Sequence, residues 1–152
     1  MFEPLDLTAK PFSVMVISKG GDKVPKKIVI IEDNAGLRET IAEVFRVFDL
    51  LRGTEVCLCA TAEEGLSAVS EDSSVVAVMT DIGLLGDDDD SGLDVIKVVK
   101  RQWPSVPVIG MSGRPAMAAE TLATGANCFL AKPFMVSGLK VALVKIGLLK
   151  EE

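Results

Sequence analysis

The chain has no histidine and no tyrosine, and only one tryptophan and three cysteines in 152 residues. Without histidine there is no imidazole base, no phosphohistidine carrier and none of the commonest metal ligand. Cys57, Cys59 and Cys128 are odd in number and lack zinc-site spacing. They are expected as reduced thiols packed like small apolar residues, in a cytoplasmic protein. No apolar run approaches the ~20 residues of a membrane span, so no membrane role is expected. The short patch at 12–17 lacks the small-residue cleavage pattern of a signal peptide. A basic excess is missing too. Lys and Arg number 16 against 22 Asp and Glu, a net charge of −6, which argues against a direct nucleic-acid partner.

What is present is an ordinary globular composition, 49% hydrophobic and 25% charged, in a chain long enough to bury a core. Residues 1–25 read as an N-terminal extension punctuated by Pro4, Pro11 and Pro25. Within it, 12–17 reads equally as an extra strand, a packed patch or an unstructured piece. One domain is expected over 26–150.

Inside that domain, strand and helix patterns alternate five times. Ile28-Val29-Ile30-Ile31 is a β-branched run ending on Glu32-Asp33-Asn34. Asn34 is placed to cap a helix with Leu37, Ile41, Val44, Phe45 and Phe48 at helical spacing. A second strand spans 54–60, and Thr61-Ala62-Glu63-Glu64 is a capping box that opens a helix with Leu66 and Val69 inward. The run Val75-Val76-Ala77-Val78-Met79-Thr80-Asp81 is apolar without alternation, as in a strand covered on both faces, and it ends on an acid. A loop over 82–90 holds the aspartates 87–90, and Ser91 is the expected cap of the next helix. A fourth strand at 106–111 ends on Ser112-Gly113, a short helix runs from Pro115 to Gly125, and a fifth strand at 127–131 ends on Lys132-Pro133. A last helix is expected over 135–149. The alternation predicts an α/β fold with a parallel sheet and helices on both faces.

In such a sheet the strand ends share one edge, where open α/β folds place their ligands. Glu32, Asp33 and Asp81 would gather there and repel one another unless a cation joined them. Oxygen ligands of this kind suit Mg²⁺. Lys132 would hold an anion, and the Ser112 hydroxyl would donate to one. These are the parts for phosphoryl transfer onto a carboxylate.

At this point the chain resembles a known family, the CheY-like receiver domains of two-component response regulators, over about residues 26–147. Four segments carry the resemblance: Ile30-Ile31-Glu32-Asp33-Asn34, Met79-Thr80-Asp81-Ile82, Gly110-Met111-Ser112-Gly113 and Phe129-Leu130-Ala131-Lys132-Pro133-Phe134. The resemblance implies a flavodoxin-like, doubly wound sheet of five parallel strands in the order 2-1-3-4-5. It implies Asp81 as phospho-acceptor and Mg²⁺ held by Asp33, Asp81 and the Gly83 backbone carbonyl, with Glu32 acting through water. Lys132 would pair with the phosphoryl oxygens, Ser112 and Phe129 would form the switch, and Lys132–Pro133 would be cis. Such a domain catalyses only its own phosphorylation and dephosphorylation. Its donor would be a histidine kinase or histidine phosphotransfer protein. Its output would pass to a downstream protein target or a fused output domain.

The chain departs from the family pattern after Asp81, where Leu84-Leu85 replaces a frequent Met-Pro and the loop to Gly92 is long. The aspartates 87–90 read as a solvated loop, or as acids that deepen the potential at the metal site or select partners. Arg114 stands where the family tunes hydrolysis. In the last helix Leu139, Ala142, Leu143 and Ile146 form one apolar stripe and Val141, Val144 and Leu148 a second, which predicts contact with a partner or a homodimer. A stand-alone receiver is expected, since the chain ends soon after that helix. The alternatives are a fragment of a hybrid histidine kinase or larger regulator, and a phosphorylation-independent scaffold. The intact acid, serine and lysine set speaks against the scaffold.

Overall fold

The computed structural model describes residues 13–16, 25–84 and 91–151. Six strands form one sheet: β1 (Ser13–Val16), β2 (Lys26–Ile31), β3 (Thr54–Cys59), β4 (Val75–Asp81), β5 (Val108–Ser112) and β6 (Cys128–Ala131). Their order is β1-β3-β2-β4-β5-β6. The last five are parallel, and their order is the expected 2-1-3-4-5. The sixth strand comes from the extension. β1 lies antiparallel on the outer edge of β3, with Ser13 opposite Leu58 and Val16 opposite Glu55. A strand was one of three open readings of that segment, because backbone pairing with a distant edge leaves no local signal.

The helices are α1 (Ala35–Val47), α2 (Ala62–Glu71), α3 (Ser91–Gln102), α4 (Ala118–Thr124) and α5 (Val136–Lys145). Two cores follow. On one face Ile28, Ile30, Met79 and Met111 pack against Ile41 and Phe45 of α1 and Leu139 and Leu143 of α5. On the other Val29, Ile31, Val78 and Val108 pack against α2 and α3. β2 is thus apolar on both faces, as its unbroken β-branched run requires.

Local signals set the helix starts. The Asn34 side chain accepts from the Leu37 N–H at 2.9 Å. Thr61 Oγ1 accepts from the Glu64 N–H at 3.1 Å, and the Glu64 carboxylate reaches back to the Ala60 N–H at 2.8 Å. That is the capping-box reciprocity, displaced by one residue.

Several boundaries differ from expectation. Phe48 is 52% exposed, because α1 ends at Val47 and a turn with positive φ at Asp49 carries Leu50 into the core instead. α5 stops at Lys145, and Gly147, with φ +82°, turns the chain back. Ile146 and Leu148 then pack on the core while Val141 stays 54% exposed, so the second apolar stripe is split. Pro115 opens a 3₁₀ turn, Pro115–Met117, ahead of α4, and Gly125 closes α4 with φ +123°. Ser91 is the first helical residue of α3; position 90 lies outside the described residues.

Candidate functional site

β2, β4, β5 and β6 all run in one direction, so their carboxyl ends meet at one edge. Glu32 follows β2, Asp81 ends β4, Ser112 ends β5 and Lys132 follows β6. The carboxylates of Glu32, Asp33 and Asp81 each place an oxygen within 4.8 Å of the others. Glu32 and Asp81 are buried, at 1% and 6% exposure, whereas Asp33 is exposed.

Lys132 is the counter-charge. Its Nζ lies 3.1 Å from Asp81 Oδ1 and 3.2 Å from Glu32 Oε1. Burial works to lower the lysine pKa, but the Asp81 and Glu32 charges outweigh it and hold it above its usual value. Glu32 is pushed up to about 7, by burial first and then by Asp81, with Lys132 opposing. One ammonium does not satisfy the cluster: Glu32 Oε2 is buried with no hydrogen-bond partner. An orphaned carboxylate oxygen beside two further acids fits a hard divalent cation with oxygen ligands, so the residues present match the expected Mg²⁺.

Ser112 is buried at 4%, and its Oγ accepts from the Arg114 N–H at 3.0 Å. Phe129 is half-buried and packs on the α2/α3 core. The Lys132–Pro133 peptide is cis, as expected. Gly83 lies in the described loop, and Leu84 beyond it is buried at 4%. Leu85 and the aspartates 87–90 lie outside the described residues.

Two residues escaped the sequence reading. A Cβ on Gly92 would sit 2.1 Å from the Asp81 carbonyl oxygen and 2.5 Å from Ile82 Cα, so only glycine lets α3 start against the end of β4. The Gly92 N–H also donates to the Ile82 carbonyl at 2.8 Å. Arg38 Nη1 donates to the carbonyls of Glu32 and Asp33. A cation near the amino end of a helix, where the dipole disfavours it, was the available signal.

A doubly wound sheet with an acid cluster only partly offset by one lysine at its carboxyl edge defines a flavodoxin-like domain with a cation-ready site. The family is narrower. The response regulator receiver domain matches residues 28–144, and the chain belongs to that family, the receiving modules of two-component signalling. It is 34% identical over 119 residues to the two-component response regulator PhoP of Pseudomonas aeruginosa, covering 77% of this chain and 49% of that one. It is 31% identical over 109 residues to an NtrX-like response regulator of Rickettsia typhi, covering 70% of this chain and 22% of that one. The chain therefore spans less than half of each of these relatives. Among solved structures, a receiver domain protein from Clostridium thermocellum superposes with a TM-score of 0.68 at 25% identity, over 80% of this chain and 93% of that one. The receiver domain of NtrX from Brucella abortus gives 0.66 at 27% identity, over 78% and 97%. These relatives are response regulators, which favours that reading over a hybrid-kinase fragment. No helix among the described residues is long and apolar enough to cross a membrane.

Proposed function

We propose that the receiver domain spans residues 26–150, with 1–25 as an extension, and that Asp81 is its phospho-acceptor. The observation that carries this reading is the Lys132 ammonium, 3.1 Å from Asp81 and 3.2 Å from Glu32, beside the unpartnered Glu32 Oε2. Asp33, Asp81 and the Gly83 carbonyl would hold Mg²⁺ directly, and Glu32 through water. When bound, the cation supplies charge neutralisation for an incoming phosphoryl group. An Asp81 oxygen attacks phosphorus as the bond to the donor nitrogen breaks, and that electron pair stays on the donor imidazole. Lys132 then moves its ammonium from the bare carboxylates to the phosphoryl oxygens.

Ser112 is the switch donor in this reading. Its hydroxyl hydrogen turns to a phosphoryl oxygen, the loop carrying Arg114 follows, and half-buried Phe129 fills the space vacated. The domain catalyses only its own phosphorylation and dephosphorylation. The donor is a histidine kinase or histidine phosphotransfer protein, since this chain holds no histidine. The output is a downstream protein or a fused domain, in the cytoplasm. Val141 and Met135, 54% and 77% exposed, are the apolar residues left on α5 and its approach for a partner or a second copy.

Incubation with Mg²⁺ and acetyl phosphate, followed by intact mass, is the test. Wild type is expected to gain one phosphoryl group and Asp81→Asn none. Unlabelled wild type, or equal labelling of the variant, sinks the assignment.

A further inference from the structure

The turn between β2 and α1 carries two acids on backbone that has left the sheet. The Glu32 N–H still donates to the Cys59 carbonyl at 3.0 Å. The Glu32 and Asp33 carbonyls share a single donor, Arg38 Nη1, at 2.8 and 3.2 Å. Arg38 is half-buried and fourth in α1. Helix stability does not account for it there. A cation near the amino end of a helix is unfavourable, and α1 has no acid in its first turn to offset that. The guanidinium instead holds two successive peptide planes. Asp33 lies between them, so its φ and ψ are pinned although its side chain is exposed. On the other side Asn34 ties the turn to the helix through the Leu37 N–H.

We infer that Arg38 is a positioning residue for the cation site: it fixes the backbone of Glu32 and Asp33 so that their carboxylates converge with that of Asp81. This rests on the reading of those acids as a metal site. Groups that orient metal ligands from behind typically change metal affinity about 10- to 100-fold when removed.

The probe is Mn²⁺, titrated into the full chain by calorimetry and by electron paramagnetic resonance. Arg38→Met is expected to bind Mn²⁺ about tenfold more weakly while keeping a wild-type circular dichroism spectrum. Arg38→Lys is expected to recover part of the loss, because its ammonium reaches one carbonyl. A purely structural residue would give another result: a lower thermal midpoint for the metal-free protein with unchanged Mn²⁺ affinity. That result overturns the inference and leaves the metal site standing. Wild type that takes up no Mn²⁺ overturns both. If Arg38→Met does not fold, Arg38→Lys and Arg38→Gln decide, and wild-type affinity in both rejects the role.

Discussion

The two ends of the sheet treat charge in opposite ways. At the carboxyl ends of the strands, one lysine pairs with two of three clustered carboxylates, and a buried oxygen of Glu32 has no hydrogen-bond partner. At the amino ends, one buried lysine faces two carboxylates. Lys27 Nζ lies 2.6 Å from Asp72 and 3.9 Å from Glu55. Asp72 also accepts from the Ser74 N–H at 2.9 Å and its hydroxyl at 2.5 Å. The Lys27 hydrogen bond, then Ser74, hold the Asp72 carboxyl well below the usual carboxylate range. Burial works to lower the Lys27 pKa, but Asp72 outweighs it and raises it. A satisfied cluster stabilises; an unsatisfied one is held in place by the rest of the fold and is available to a cation or a phosphoryl group.

Removing the lysine at each end separates the two roles. Lys132→Met is expected to slow labelling by acetyl phosphate about a hundredfold, since it removes the charge that meets the phosphoryl oxygens. Lys27→Met should leave that rate at the wild-type value. Equal slowing in both would mean that the contrast is false.

The amino end should break asymmetrically. Asp72→Ala leaves an ammonium that is 7% exposed with only the more distant Glu55 at 3.9 Å, and is expected to cost about 2–3 kcal/mol. Lys27→Met leaves Asp72, a third exposed, to be solvated by water, and should cost about 1 kcal/mol. Urea midpoints measure both, and the reverse order would contradict the burial argument.

Gly92→Ala tests how closely α3 is pressed to the reactive edge. Its Cβ would meet backbone and not a flexible side-chain tip, so a loss of about 1–3 kcal/mol is expected, with slower labelling of Asp81. Wild-type stability and labelling would show that the contact yields freely.

The smallest effect is in the pH dependence, and its sign differs between the ends. Asp72 has a lowered pKa, so its contribution is full above the unfolded value of about 3.9 and is lost as pH falls toward the folded value. Glu32 is raised to about 7, so its contribution is full below its ordinary 4.5 and is lost as pH rises through 7 in metal-free protein. Asp72→Asn should flatten the acid limb of a stability–pH curve and Glu32→Gln the neutral limb. Exchanged effects would reject the comparison.

Much of this was legible in the chain. The uninterrupted apolar runs at β2 and β4 announced strands covered on both faces, and a polar residue after each strand marked the edge. Asn34, Thr61 with Glu64, and Pro115 announced helix starts, because a cap is a contact between near neighbours. Phe48 was misplaced because helical periodicity says nothing about the turn at Asp49 that ends the helix. The tail of α5 was overextended for the same reason, with Gly147 as the turning point. Arg38 and Gly92 were missed because their partners are backbone atoms, which carry no residue-type signature.

By itself the sequence determined the alternation of strand and helix, the family resemblance, and which acids, serine and lysine were candidates. These follow from local hydrophobic period and from residue chemistry. The tertiary structure decided which groups touch. Lys132 meets Glu32 across a hundred residues of chain, Lys27 meets Asp72 at the opposite end, and β1 joins the edge of β3. Those contacts depend on strand order, register and burial, which are properties of the packed sheet and not of any segment of it.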